Sequence, residues 1–168
     1  LAFIALRKPG NDGELRMLAF CLDGRMQENF DYPIGGTPCE TVVGREFRSY
    51  ESGLCDRFPL DTSFAALGLS SYAGYPLNDS RGHALGLVSV VSRSPITDPE
   101  TVESIVKIFA VRASAELERA RQEEKLRASE EQYRTIFNAS VDGLLVNDER
   151  HHIVDVNDAY LAMHGYRR

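Results

Sequence analysis

The chain has 168 residues, 43% apolar and 26% charged, with a formal net charge of −6. This is an ordinary globular composition; its acidic balance argues against a broad nucleic-acid surface, and no apolar run approaches the ~20 residues of a membrane span. Three cysteines at unmatched spacings, Cys21, Cys39 and Cys55, fit neither a disulfide framework nor a zinc site and point to a reducing, cytoplasmic compartment.

Leu1 to Leu6 has the apolar run of a buried strand, and Leu15 to Leu22 reads as its hairpin partner across the turn-rich Pro9-Gly10-Asn11-Asp12-Gly13. Gly24, Gly35 and Gly36 read as turns. Thr37-Pro38-Cys39-Glu40 has the form of a helix start. Thr37 is the expected N-cap, Pro38 suits the first helical position, and Glu40 is placed to reach back and complete a capping box. Gly44 keeps that helix short. Phe47 to Tyr50 suits an edge strand, and Asp61 is placed to cap a short helix over Thr62 to Leu67. Ser71 to Leu77 and Gly82 to Ser92 are expected strands joined by a turn at Asn78 to Gly82. The second is the most apolar of all and so the central one.

From Pro99 to Phe137 there is no Gly and no further Pro, which predicts one long helix, capped by Asp98. Val102, Ile105, Val106, Phe109 and Ala113 form a stripe suited to packing on a sheet. Beyond Glu116 the helix becomes charge-laced, with Glu116/Arg119, Glu123/Arg127 and Glu130/Arg134 at helical pairing distance. Leu117, Leu126 and Tyr133 leave a thin, irregular apolar seam. A homodimer through the 99–137 helix, as a parallel coiled coil, is expected, with a lone solvated rod as the alternative. After a loop at Asn138 to Asp142, Gly143 to Asn147 and Ile153 to Asn157 read as strands, and Asp158 to His164 as a short helix stopped by Gly165. The chain, opening on Leu1 within a strand and closing on Gly165-Tyr166-Arg167-Arg168, reads as part of a longer protein.

Gly36 to Glu40, Phe58-Pro59, Ser71 to Leu77, Leu85 to Val90 and Ala115 to Arg119, in that order, resemble a GAF sensory domain. Ser129 to Arg134, Phe137 to Gly143, Val154 to Asn157 and Gly165-Tyr166 look like the opening of a PAS domain. The fold this implies is α+β: a GAF-like antiparallel sheet flanked by helices (1–115, lacking the family's first helix), a helical linker (116–134) and a truncated PAS segment (135–168). The resemblance also implies a small-molecule pocket on one face of the first sheet. It further implies a downstream output domain, a histidine kinase or a diguanylate cyclase, as the chain's own partner.

Cys39 is the first ligand-binding candidate. A cysteine carries the bilin in phytochrome-like GAF domains, but the Asp-Ile-Pro type of motif is not visible here, which argues against bilin. A thiol pKa lowered by the helix start would permit redox sensing; the plainer reading is a small buried residue. Phe58, Tyr72 and Tyr75 suit either a pocket lining or core. Asn157 is expected to cap the helix that follows it. His83, His151, His152 and His164 show no metal-ligand spacing, and no phosphate loop, metalloprotease motif or nucleophile–base pair is visible. The composite reading is a non-catalytic, cytoplasmic sensory input region with an unidentified ligand; the rivals are a ligand-free dimerisation scaffold and, more remotely, a GAF-type methionine sulfoxide reductase.

Overall fold

The computed structural model describes residues 1–166; Arg167 and Arg168, which close the PAS-like segment in the sequence reading, lie outside the described residues. The chain forms an α+β fold in two units, Leu1–Glu118 and Arg119–Arg168.

In the first unit β1 (Ala2–Lys8) and β2 (Asn11–Leu22) make the expected hairpin. The short strands β3 (Arg25–Met26) and β4 (Asp31–Pro33) both pair with β2. With β5 (Arg48–Tyr50), β6 (Ser71–Asn78) and β7 (Ala84–Ser92) they complete one antiparallel sheet ordered β3-β2-β1-β7-β6-β5, with β4 alongside β2. The most apolar strand, β7, is interior, between β1 and β6, and β5 is at an edge. Neither β3 nor β4 was expected from the sequence, because two or three residues carry too little pattern to register. β4 is held by its pairing with β2 and by the buried Tyr32, and Asp31 adds ion pairs, accepting from Arg16 at 2.8 Å and from Lys8 at 2.8 Å. Those two cations hold the Asp31 carboxyl well below the usual carboxylate range.

Two glycines admit close approaches. A Cβ on Gly86 of β7 would collide with the Ala5 carbonyl of β1, and one on Gly74 of β6 would strike the Tyr72 phenol. Pro76 lies in β6 without loss, because β5 pairs only with Tyr72 to Gly74 and leaves the amide side at 76 unclaimed.

The two sheet faces are covered differently. One packs Leu15, Met17, Leu87 and Tyr72 against the crossing segment from Tyr32 to Leu69, which contains α1 (Leu54–Arg57) and α2 (Thr62–Ala66). The other packs Leu77, Leu85 and Val88 against Val106 and Ala110 of α3 (Pro99–Ala139). The Asp98 cap forms as expected, Oδ1 accepting from the Thr101 amide at 3.0 Å. The stripe on α3 is rotated from the sequence reading. Val102, Val106, Ala110 and Ala113 meet the sheet, whereas Ile105 and Phe109 are 49% and 62% exposed. Among the charged residues that follow, Arg119 meets Glu123 at 3.2 Å, and Arg127 meets Glu124 at 2.7 Å and Glu131 at 3.6 Å.

In the second unit α3 continues through Ala139, followed by a two-stranded sheet of β8 (Leu145–Asn147) and β9 (Ile153–Val156) and by α4 (Asp158–His164). Gly165 terminates α4 with φ 73°, as a left-handed cap. The β6–β7 and β8–β9 turns share the pattern Asn-Asp-x-Arg-x-His and close in the same way. Asp79 Oδ1 accepts from the amides of Arg81 and His83 at 2.9 and 2.8 Å. Asp148 Oδ1 accepts from those of Arg150 and His152 at 2.8 and 2.9 Å. The fifth position is left-handed in both, Gly82 at φ 82° and His151 at φ 63°.

Candidate functional site

The sequence candidates separate onto two faces of the first unit's sheet. Cys39, Phe58 and Tyr72 come together on the face covered by α1 and α2. Tyr75, at odd spacing from Tyr72 along β6, points to the opposite face, where it packs beside Leu77 and α3. It lines a cavity of about 300 Å³ with Asp79, Ser80 and Glu118. Pleat geometry therefore removes Tyr75 from any site built around Cys39.

On the Cys39 face an aromatic series runs from Phe58 to Tyr50 (ring centroids 5.0 Å) and from Tyr50 to Tyr72 (6.1 Å). The Tyr72 hydroxyl donates to Cys39 Sγ at 3.8 Å, and both residues are fully buried. Beside them lies a polar group that the sequence did not reveal. Tyr32 donates its phenol proton to Asp61 Oδ2, and Ser63 donates its hydroxyl to Asp61 Oδ1. Asp61 thus spends its carboxylate on two side chains and makes no side-chain cap bond to α2, contrary to the expectation. No local pattern links Tyr32 to a partner 29 residues away; only the fold brings them together.

The turn holding Cys39 is a single 3-10 stretch, Pro38–Thr41, rather than an α-helix. Thr37 occupies the N-cap position, but its hydroxyl donates to the Ile34 carbonyl at 2.7 Å instead of accepting from the turn. Glu40 does reach back, yet it accepts from Gly36 at 2.8 Å, one residue earlier than a capping box requires. The expected box is therefore replaced by two separate anchors of the preceding loop. The thiol also departs from expectation. Burial pushes Cys39 up to about 12, outweighing the hydrogen bond from Tyr72. The Tyr72 phenol is likewise raised by burial and by its proximity to Cys39. A 3-10 turn this short offers little dipole to offset desolvation, so the site holds a neutral thiol, not a thiolate. Tyr32 is also driven upward, first by burial and then by its bond to Asp61.

These polar groups satisfy one another, Tyr72 bonding Cys39 and Tyr32 and Ser63 bonding Asp61. Among the described residues no cluster of His, Cys, Asp and Glu suits a metal ion. The open apolar concavity lies on the other face. It is a cavity of about 300 Å³ between α3 and the sheet, floored by Ala2, Ile4, Ala19 and Cys21 and flanked by Ile105 and Phe109.

In the second unit Asn157 is the organising residue, fully buried. Its Oδ1 accepts from Tyr160 N at 2.9 Å, which caps α4 as expected, and from Leu144 N at 2.8 Å. Its Nδ2 donates to the carbonyls of Phe137 at 3.0 Å and Asp142 at 2.8 Å. One side chain thereby ties the end of α3, the following loop and α4 together.

Among the described residues no helix is long and apolar enough to cross a membrane. No curated protein matches the sequence. Among solved structures the fold is similar to a domain assigned to a two-component sensor histidine kinase protein of Sinorhizobium meliloti 1021, with a TM-score of 0.54 and 15% identity. That similarity covers 75% of this chain and 83% of the other, more than the second unit alone can supply. Residues 131–168, less than a quarter of the chain, match the PAS domain family, and the match begins within the last turns of α3 and takes in Asn157 and the four residues it bonds.

Proposed function

We propose that this chain is a non-catalytic sensory input region of a signal-transduction protein. Its first unit is a GAF-like sensor, and α3 relays the state of that sensor to the PAS segment and to an output domain, a histidine kinase or a diguanylate cyclase. The observation that carries the reading is α3 itself. One uninterrupted helix supplies Val106 and Ala110 to the core of the first unit and ends inside the segment that matches PAS domains. A change in packing at Val106 and Ala110 then acts on a helix that continues into that segment, and a differential affinity of about 1–3 kcal/mol for two packings is enough to couple the two. The sensor-kinase assignment of the structural neighbour is consistent with such a role.

A second reading is favoured by a specific observation. The Cys39–Tyr72 face is filled by its own side chains, as expected of a ligand-free scaffold whose task is association. Native mass spectrometry of the chain purified from cells, against a denatured sample, separates the two. The sensory reading expects extra mass in the native spectrum that is lost on denaturation. A clean dimer without extra mass, unchanged by a panel of cellular small-molecule extracts, overturns ligand sensing in favour of the scaffold.

A further inference from the structure

The turn between β6 and β7 grips α3 through one residue. Within the turn, Asp79 N donates to the His83 carbonyl, Gly82 N to the Asp79 carbonyl, and Arg81 N and His83 N to Asp79 Oδ1. The Ser80 amide is left over, and it faces α3 together with the Ser80 hydroxyl. Both donate to one carboxylate, that of Glu118, the amide to Oε2 at 3.2 Å and the hydroxyl to Oε1 at 2.5 Å. The β8–β9 turn repeats the frame with Glu149 in the place of Ser80, a side chain with no hydroxyl to give and a charge that repels a carboxylate.

The place of this pair along α3 gives it weight. Leu117 is the last residue that α3 contributes to the apolar cluster on the first unit's sheet, and Glu118 follows it. From Arg119 to Ile136 every residue of α3 is exposed. Between the turn and the helix lies the cavity of about 300 Å³ that Tyr75 lines with Asn78, Ala110 and Ser114. Side-chain packing is thin at this end, so the two hydrogen bonds hold the turn to the helix. β6 also runs without a break from Tyr72, whose hydroxyl bonds Cys39 on the other face, to Asn78, two residues before Ser80.

We propose, resting on the relay reading above, that the Ser80–Glu118 clasp is the joint through which a displacement of the β6–β7 hairpin reaches α3. A shift of β6 at Tyr72 carries Ser80 with it, because Asp79 ties the turn into one piece. The carboxylate, held by two donors at once, passes that shift to the last covered turn of the helix. Ser80 and Glu118 are positioning residues in this scheme, and neither contacts a ligand.

Hydrogen exchange on the whole chain tests it, read over residues 114–122 of α3 with β1 and β2 as the internal reference. Ser80→Ala and Glu118→Ala are each expected to speed exchange there about 3- to 10-fold, and the double variant by no more than the larger single effect. Ser80→Thr keeps the hydroxyl and is expected to leave exchange unchanged. The joint itself is read by perturbing the far face. Gly74→Ala, which pushes on the Tyr72 ring, and the milder Tyr72→Phe are expected to change exchange over 114–122 by at least about 2-fold in the parent chain, and not in Glu118→Ala. Exchange unaffected by Ser80→Ala and Glu118→Ala, or effects that add in the double variant, overturns the clasp. A response to Gly74→Ala and Tyr72→Phe that persists in Glu118→Ala overturns it as the joint and leaves the relay standing. No response to either change in the parent chain overturns the relay reading, and the joint with it.

Discussion

Tyr72 and Cys39 depend on a residue that touches neither by its own side chain. Gly74 leaves the space along β6 in which the Tyr72 ring lies, since a Cβ there would meet the phenol oxygen. Gly74→Ala therefore displaces the hydroxyl from Cys39 Sγ and strains a fully buried ring. The expected cost is about 1–3 kcal/mol, the range for overpacking a tight core, read as a lower urea midpoint. The same change has a chemical signature. In the wild type Cys39 is buried and its thiol is pushed up to about 12, so at pH 8 it reacts only through opening, far more slowly than Cys21 and Cys55, which are partly exposed. Cheaper opening in Gly74→Ala raises the Cys39 alkylation rate while leaving Cys21 and Cys55 as they were. Equal rates at all three cysteines in the wild type exclude this account of the site. The residue identities at this face were visible in the sequence, but their roles were not. A thiol after Thr37-Pro38 suggests a helix dipole and a lowered pKa; the fold supplies a single 3-10 turn and complete burial instead, and desolvation outweighs the rest.

At the scale of elements, legibility followed the length of the pattern. The hairpin β1–β2, the pair β6–β7, the long helix and α4 with its Asn157 and Gly165 caps all carry periodicity or capping chemistry over several residues, and they stand where the sequence put them. Strands β3 and β4 and helix α1, of two to four residues, are specified by partners distant in sequence, such as Arg16 and Lys8 for Asp31. The face of α3 was misread at Ile105 and Phe109 because Ile105, Ile108, Phe109 and Val111 widen the apolar arc beyond the part that meets the sheet, and periodicity cannot choose within that arc. The twin turns show a finer case of specification. The shared Asn-Asp-x-Arg-x-His frame needs a left-handed fifth residue, which is Gly82 in one and His151 in the other. A non-glycine there is strained by about 1–2 kcal/mol. His151→Gly is therefore expected to stabilise the β8–β9 hairpin by about 0.5–1 kcal/mol, the usual gain reduced by the greater freedom of unfolded glycine. This appears as hydrogen exchange slowed roughly 2- to 5-fold across β8 and β9. Faster exchange in the variant means that His151 makes a stabilising contact outweighing its backbone strain.

For the whole molecule, the distribution of burial decides how the chain unfolds. The first unit holds two apolar clusters on the two faces of its sheet, with Leu15, Leu54, Leu77 and Leu87 fully buried. The second buries Phe137 and Asn157, while Leu145, Ile153, Val154 and Met163 are 43 to 65% exposed. A fully buried large apolar side chain contributes about 1.5–3 kcal/mol, so the second unit has little apolar burial to set against the entropy of ordering its loop, hairpin and helix. Its cohesion rests unusually on one side chain, the four hydrogen bonds of Asn157. Two cooperative units of unequal stability are therefore expected rather than one transition. In hydrogen exchange under native conditions, amides across residues 143–166 open first, and those of β6 and β7 persist to global unfolding. Asn157→Ala removes the α4 cap and leaves buried backbone groups of α3 and the loop without partners, at a cost of about 2–3 kcal/mol. It is expected to abolish residual protection in 143–166 while leaving β6 and β7 unchanged. Uniform protection across both units, or loss of protection in β6 and β7 on Asn157→Ala, would show instead that the chain folds as a single cooperative body.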